Sequence, residues 1–353
     1  MTKFFSERLK ELVPYTPGEQ PKNGEYVKLN TNESPFGISP KGKEMATDAL
    51  KRLQLYPDPE YTALREKAAE VFGVDKDEIV VGNGSDEILD LAFKAFCDDE
   101  RHAVFADITY GFYNVFAKQN GIKFREIPLK DDYTIDLDEY NGNDTVFLAN
   151  PNAPTGICKD VEEIERFLAK NKNRVVVVDE AYVDFGGKSC LPLIKKYDNL
   201  LVCQTFSKSR SMAGGRLGFG FGNGELIKDL NTVRYSINPY NVNGVTAAAG
   251  VGILTDEEYT KKNCETIIKN REFTVKELEK LGFETLESKA NFVFTKNKTI
   301  SGKELYEKLK ERRILVRYFD KERLRDYNRV TIGSREQMET LLAAVKEILE
   351  EKR

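Results

Sequence analysis

The sequence predicts an α/β protein: a large domain on a mostly parallel central sheet flanked by helices, joined to a smaller α+β domain. Two observations carry this. Between about residues 75 and 222, short β-branched runs alternate with longer amphipathic stretches, the pattern of a sheet covered by crossover helices. After about residue 250 the texture changes to long charged helical stretches separated by two strand-like runs. A chain of 353 residues has room for two domains. The expected boundaries are 31–248 for the large domain, with 1–30 as an N-terminal arm and 249–353 as the small domain.

Taken in order, the first thirty residues are punctuated by Pro14, Pro17 and Pro21, which suits an arm lying over another part of the fold. Glu78-Ile-Val-Val-Gly82 reads as a strand running into a glycine turn. Ser85 then opens a helix with Ile88, Leu91, Ala92, Ala95 and Phe96 on one face. Residues 102–106, 144–149, 174–179 and 199–206 are further strands. Four of these five runs end in polar or glycine-rich loops, at the carboxyl ends where α/β sheets bind ligands. In the C-terminal part, 290–295 and 329–332 are strands. Ser301 with Glu304 and Ser334 with Gln337 predict capping boxes at two helix starts. Met338, Leu341, Leu342, Val345, Ile348 and Leu349 make the apolar stripe of the last helix.

Composition narrows the chemistry. Fifty-four Lys and Arg against 58 Asp and Glu give a net charge of -4, so there is no basic field for nucleic acid. No apolar run approaches a membrane span and the N-terminus lacks a signal-peptide stretch, so a soluble, cytoplasmic protein is expected. The five cysteines are scattered and form no C-x-x-C pair. With His102 as the only histidine, multi-histidine metal sites are excluded and no metal is expected. Proton chemistry must fall to Lys, Tyr, Asp or Glu.

Five segments could carry it. Thr205-Phe-Ser-Lys-Ser-Arg-Ser-Met-Ala-Gly-Gly-Arg216 sets a lysine at the end of a buried strand, where desolvation favours a nucleophilic amine, beside hydroxyls and an arginine that suit a phosphate. Val175-Val-Val-Val-Asp-Glu-Ala-Tyr182 closes an apolar run with Asp179, a candidate counter-ion, and Tyr182 can reach the same cleft. Gly82-Asn-Gly-Ser-Asp-Glu87 is a glycine turn at a helix start, an anion site to which Ser85 adds a hydroxyl. Asn150-Pro-Asn-Ala-Pro-Thr-Gly156 is a rigid loop, and Tyr110 can stack on a planar ring. Each has an ordinary structural counterpart: a solvated lysine, an Asp cap, a plain N-cap, a core aromatic. His102 lies at the wrong end of its strand for a convergent site.

In this order and spacing the segments resemble the fold-type-I pyridoxal-phosphate aminotransferases, over nearly the whole chain. Leu29-Asn-Thr-Asn-Glu-Ser-Pro35, Tyr56-Pro-Asp58, Asn291-Phe-Val293, Ile314-Leu-Val-Arg-Tyr-Phe319 and Arg329-Val-Thr-Ile-Gly333 are similar to its histidinol-phosphate branch. The resemblance implies pyridoxal 5'-phosphate bound covalently to Lys208, which then moves the substrate proton. It implies Asp179 against the pyridine nitrogen, Tyr182 on the ring's phenolic oxygen and Tyr110 stacked on the ring. Ser85, Asp86, Thr205, Ser207 and Arg216 would hold the phosphate. Tyr56 would reach the phosphate of a neighbouring subunit, which implies a homodimer with shared sites. Arg329 would take an α-carboxylate, with Arg317, Tyr15 and Asn32 at the other end of the substrate, where histidinol phosphate presents a phosphate and an imidazole and 2-oxoglutarate its distal carboxylate. One departure from the family pattern is Ala153, where Asn usually precedes Pro-Thr-Gly; either Asn152 or another donor would contact the ring oxygen, or Tyr182 would do so alone. An aromatic aminotransferase, a threonine-phosphate-type decarboxylase on the same scaffold and a nucleotide-binding α/β protein are the alternatives.

Overall fold

The computed structural model describes residues 2–10, 12–14, 16–21 and 25–352. Along the chain, β1 (Val27–Lys28), α1 (Pro40–Ala49) and α2 (Thr62–Phe72) precede β2 (Ile79–Gly82). The central region then runs α3 (Ser85–Phe96), β3 (Ala103–Ala106), α4 (Phe112–Asn120), β4 (Phe124–Ile127), β5 (Thr145–Ala149), α5 (Val161–Lys170) and β6 (Val176–Asp179). It continues through β7 (Leu200–Thr205), β8 (Gly218–Gly222), α6 (Gly224–Ile237) and α7 (Gly244–Thr255). The C-terminal part comprises α8 (Glu257–Lys280), β9 (Phe283–Thr285), β10 (Phe292–Asn297) and α9 (Gly302–Glu311). It ends with β11 (Ile314–Leu315), β12 (Arg317–Tyr318), β13 (Tyr327–Thr331) and α10 (Arg335–Glu350).

Seven strands form one sheet in the order β2-β8-β7-β6-β5-β3-β4. All neighbours are parallel except β8, which runs antiparallel to β2 and to β7. The valine run of β6 shows why the sheet is buried on both faces: Val176 and Val178 pack into one apolar cluster and Val177 into the other, as the two-residue period requires. β4 and β8 were not anticipated. β8 reads Gly-Phe-Gly-Phe-Gly, and glycine is a poor strand former; here the glycines are required by packing, since a Cβ on Gly218 would sit 2.5 Å from the backbone of Gly84 and Ser85.

A second sheet, β12-β13-β10-β9, is antiparallel throughout. Val293, Val330, Met338, Leu341, Val345 and Ile348 close its core with α10. The Ser334–Gln337 capping box forms in both directions. At α9 only half of the expected box forms: Ser301 accepts from the Glu304 N–H at 3.2 Å, while the Glu304 carboxylate pairs with Lys352 at 2.6 Å. Residues 27–29 run against the C-terminal part of the chain. β1 pairs in parallel with β11, and the Leu29 carbonyl accepts from the Thr331 N–H at 2.9 Å. Among the described residues no helix is long and apolar enough to cross a membrane.

Candidate active site

The carboxyl ends of β5, β6 and β7 and the start of α3 open into one cavity of about 190 Å³, lined by Ser85, Asp86, Tyr110, Asp179, Tyr182, Thr205, Ser207, Lys208 and Arg216, with Pro151 and Ala153 on one side. Nine residues from four separate sequence segments therefore meet at the edge that the parallel-strand rule selects. At one end lie the first residues of α3, where unpaired backbone N–H groups face an anion favourably. A side chain at Gly84 would be strained by its left-handed backbone (φ +80) and would displace the Arg216 guanidinium, which lies 2.6 Å from where a Cβ would stand. Arg216, itself left-handed at φ +53, donates to Asp86 at 3.0 Å and to the Ser207 hydroxyl at 3.3 Å. Thr205 Oγ1 accepts from the Ser207 N–H at 3.1 Å and so shapes the turn into Lys208.

Asp179 is 5% exposed, and burial pushes its carboxyl up to about 6. It accepts from the Tyr113 hydroxyl at 3.0 Å and from the Ala181 N–H at 3.1 Å. A cation placed against it would recover the desolvation that holds it partly protonated. Tyr110 donates to Asp86 at 2.7 Å, and its hydroxyl is also held well above the usual tyrosine range by burial and by that carboxylate. The Asp86 carboxylate is thus engaged by Arg216 and Tyr110. It would repel a phosphate, so only its backbone N–H suits one.

One short segment ties the cavity to the second sheet. The carbonyl of Asn30 accepts from Arg329 at 3.1 Å, the carbonyl of Thr31 accepts from Lys208 Nζ at 3.3 Å, and Asn32 Nδ2 donates to the Tyr182 hydroxyl at 2.9 Å. Consecutive Cα atoms lie about 3.8 Å apart, so the lysine, the phenol and the Arg329 guanidinium fall within reach of one small molecule. Arg317 and Arg329 are directly opposite each other across β12 and β13. Both guanidinium groups flank the Phe319 ring, at 5.5 and 5.6 Å. Like charges set opposite on a sheet face repel, a cost that an anion bound between them would offset. Arg317 also donates to the carbonyls of Thr16 and Pro17 at 3.0 and 3.2 Å, which brings the N-terminal arm onto this site.

Several expected placements change. Arg317 and Arg329, expected at opposite ends of a substrate, lie directly opposite each other across β12 and β13. Asn152 is not in the cavity wall, because its amide donates to the Ile108 carbonyl at 2.9 Å and accepts from Thr109 at 2.8 Å, which pins the loop that carries Tyr110. Asn32 is 1% exposed with its carboxamide engaged by Tyr182 and Thr331, so it supports the phenol and is not presented to a substrate. Tyr56 is 81% exposed and stacks on Tyr240 with ring centroids 4.5 Å apart, outside the cavity of its own chain. Tyr15 lies outside the described residues. His102 sits at the opposite edge of the sheet, 3.1 Å from the Asp99 carbonyl. Sequence reasoning missed Tyr113, which lies in the first turn of α4 three residues after Tyr110. It also missed Thr331, for which no local signal exists.

The family model for class I and II aminotransferases matches residues 24–345. The histidinol-phosphate aminotransferase of Clostridium botulinum is 44% identical over 351 residues, covering 99% of each chain. That of Brachyspira hyodysenteriae is 45% identical over 352 residues, again 99% of each. Among solved structures, the histidinol-phosphate aminotransferase from Sinorhizobium meliloti, in complex with pyridoxal-5'-phosphate, superposes with a TM-score of 0.91 over 100% of this chain and 99% of that one. At 23% identity that likeness speaks for the fold alone.

Proposed function

The chain belongs to the class I and II aminotransferase family, and from that premise we propose that it transfers an amino group between L-histidinol phosphate and 2-oxoglutarate on pyridoxal 5'-phosphate, in histidine biosynthesis. The observation that carries this reading is the run of residues 30–32, whose successive polar groups hold Arg329, Lys208 and Tyr182 together.

The donor set fits the cofactor. A buried carboxylate suits a pyridinium nitrogen, the α3 start with Ser207 and Arg216 suits a phosphate, Tyr182 suits a phenolic oxygen and Tyr110 suits a ring face. When bound, pyridoxal phosphate supplies an aldehyde for amines and a ring that accepts the electrons of a broken Cα–H bond. Lys208 would take the proton from the substrate Cα and return it to the former aldehyde carbon of the cofactor. Asp179 keeps the ring nitrogen protonated, and Tyr182 donates to the ring oxygen. Arg317 and Arg329 together grip the dianionic phosphate of histidinol phosphate; glutamate presents its carboxylates to the same pair. Guanidinium groups suit this because they offer paired N–H donors to oxyanions.

We infer a homodimer with shared sites, with Tyr56 reaching the phosphate of the other subunit. It is supported by the exposed apolar surface of Leu50, Leu53, Leu55 and Tyr56 beside Tyr240. A cytoplasmic setting suits five free cysteines.

The test is direct. Purified protein given pyridoxal phosphate should develop a visible band, and borohydride should fix the cofactor on the Lys208 peptide. Glutamate should form from 2-oxoglutarate with histidinol phosphate as donor. A label on another lysine would overturn the site, and turnover faster with phenylalanine than with histidinol phosphate would favour the aromatic aminotransferase. Carbon dioxide release in place of amino transfer would favour the decarboxylase.

A further inference from the structure

We propose that Thr331, acting through Asn32, aims the proton of the Tyr182 hydroxyl into the cavity, toward the phenolic oxygen of a bound pyridoxal ring. The inference rests on the pyridoxal reading above and deepens it by adding a positioning residue from the second sheet.

Asn32 stands in the left-handed region at φ +57 and is nearly fully buried. Its backbone N–H donates to Thr331 Oγ1 at 2.9 Å, and Thr331 Oγ1 donates to Asn32 Oδ1 at 3.0 Å. The Asn32 carbonyl accepts from Asn291 Nδ2 at 3.0 Å, which holds the backbone from the other side. A threonine hydroxyl has one proton. Thr331 Oγ1 accepts from the Asn32 N–H and gives its own proton to Oδ1, which sets the carboxamide with its oxygen toward Thr331. Its nitrogen then faces Tyr182 and donates to the phenol at 2.9 Å. The phenol's own proton must leave in another direction, and Tyr182 lines the cavity. The reverse carboxamide orientation would place Oδ1 against the phenol and draw that proton away.

Two features give the relay its weight. Ala153 offers a methyl where the family pattern has an amide, so Tyr182 works without that second donor. Thr331 is also two residues beyond Arg329 on β13, so the strand that binds the substrate anion sets the phenol as well.

The readout is the pH midpoint of the visible band of the cofactor on Lys208. A donor to the ring oxygen stabilises its negative charge most once the adjoining linkage nitrogen has lost its proton, so the donor lowers the midpoint. Thr331→Val should raise it by roughly half to one pH unit, the worth of one hydrogen bond, and Thr331→Ser should restore the wild-type value. Asn32→Asp tolerates the left-handed backbone and presents only acceptors to the phenol, so it should raise the midpoint too, and it carries the test should Thr331→Val fail to fold. In a Tyr182→Phe background, Thr331→Val should add no further shift. An equal shift there, or unmoved midpoints in both single variants, would overturn the relay while leaving the pyridoxal reading intact. A wild-type protein that never develops the band would overturn that reading and the relay with it.

Discussion

The two walls of the cleft balance their charges differently. On the wall built by the seven-stranded sheet, Asp179 has Tyr113 and the Ala181 N–H, and Arg216 has Asp86 and Ser207. On the wall built by the four-stranded sheet, two arginines sit in register and donate to main-chain carbonyls of the N-terminal arm. A carbonyl offers a guanidinium a partial charge where a carboxylate or phosphate offers a whole one. The first wall is therefore set before any ligand arrives, whereas the second sets two cations opposite each other across one strand pair. Substitutions on the first should damage chemistry whatever the substrate; substitutions on the second should change which substrate is used.

The largest effect expected is that of Lys208→Ala, which under the proposed function would remove both the covalent anchor and the proton carrier. Turnover with every amino donor should fall by about four orders of magnitude or more, and mass spectrometry after borohydride should find no modified peptide. A variant that keeps most of its activity would break the assignment of the chemistry to this wall.

Arg317→Ala tests the other wall. It leaves a phosphate facing one guanidinium in place of two, a cost of roughly 2–5 kcal/mol for a desolvated pair. Catalytic efficiency for histidinol phosphate should drop by about two to three orders of magnitude or more, while phenylalanine, whose one anion is a singly charged carboxylate, should lose less. An unchanged ratio of the two efficiencies would show that Arg317 does not read the phosphate.

These walls were not equally legible in the sequence. The parallel strands, Lys208, Asp179, Tyr182 and the α3 turn could be read because each sits at the end of an apolar run, where a polar residue needs a reason. The glycine-rich strand β8 was invisible because its residues are chosen for close backbone approach to Gly84 and Ser85, not for strand propensity. The pairing of Arg317 with Arg329 was hidden for another reason. Twelve residues apart in the chain, they become neighbours only through the register of β12 on β13. Asn32 and Thr331 are further still from local detection, being 299 residues apart.

A smaller effect sharpens the picture of the first wall. The folded Asp179 carboxyl holds its proton to about pH 6, whereas the ordinary value for the unfolded chain is 3.8. Between those values the native state binds more protons than the unfolded state. Its stability therefore falls as pH rises through that window, and the loss is complete above about pH 6. The difference corresponds to about 3 kcal/mol at most. Without cofactor, Asp179→Asn should melt higher than wild type at pH 8 and alike near pH 4. Glu180, which burial pushes up to about 7, is common to both proteins and cancels. With pyridoxal phosphate bound, a pyridinium partner should reverse the order at pH 8. Melting curves that keep the same order with and without cofactor would make Asp179 a structural residue.

The smallest expected effect separates stability from chemistry on the second wall. α10 is anchored by a box closed in both directions, in which Ser334 caps the Gln337 N–H at 3.2 Å and Gln337 returns to the Ser334 N–H at 2.8 Å. At α9 the return bond is missing because Glu304 is drawn to Lys352. Removing an N-cap hydroxyl costs about 1 kcal/mol, and at Ser334 the loss also frees Gln337. Ser334→Ala should therefore destabilise the protein by about 1 kcal/mol and Ser301→Ala by somewhat less, as read from urea unfolding. Neither residue touches the cavity, so the visible band and its pH midpoint should stay in place. A midpoint that moves with Ser334→Ala would mean that the packing of α10 reaches Thr331 and, through Asn32, the phenol of Tyr182, so that the two walls respond to strain as one.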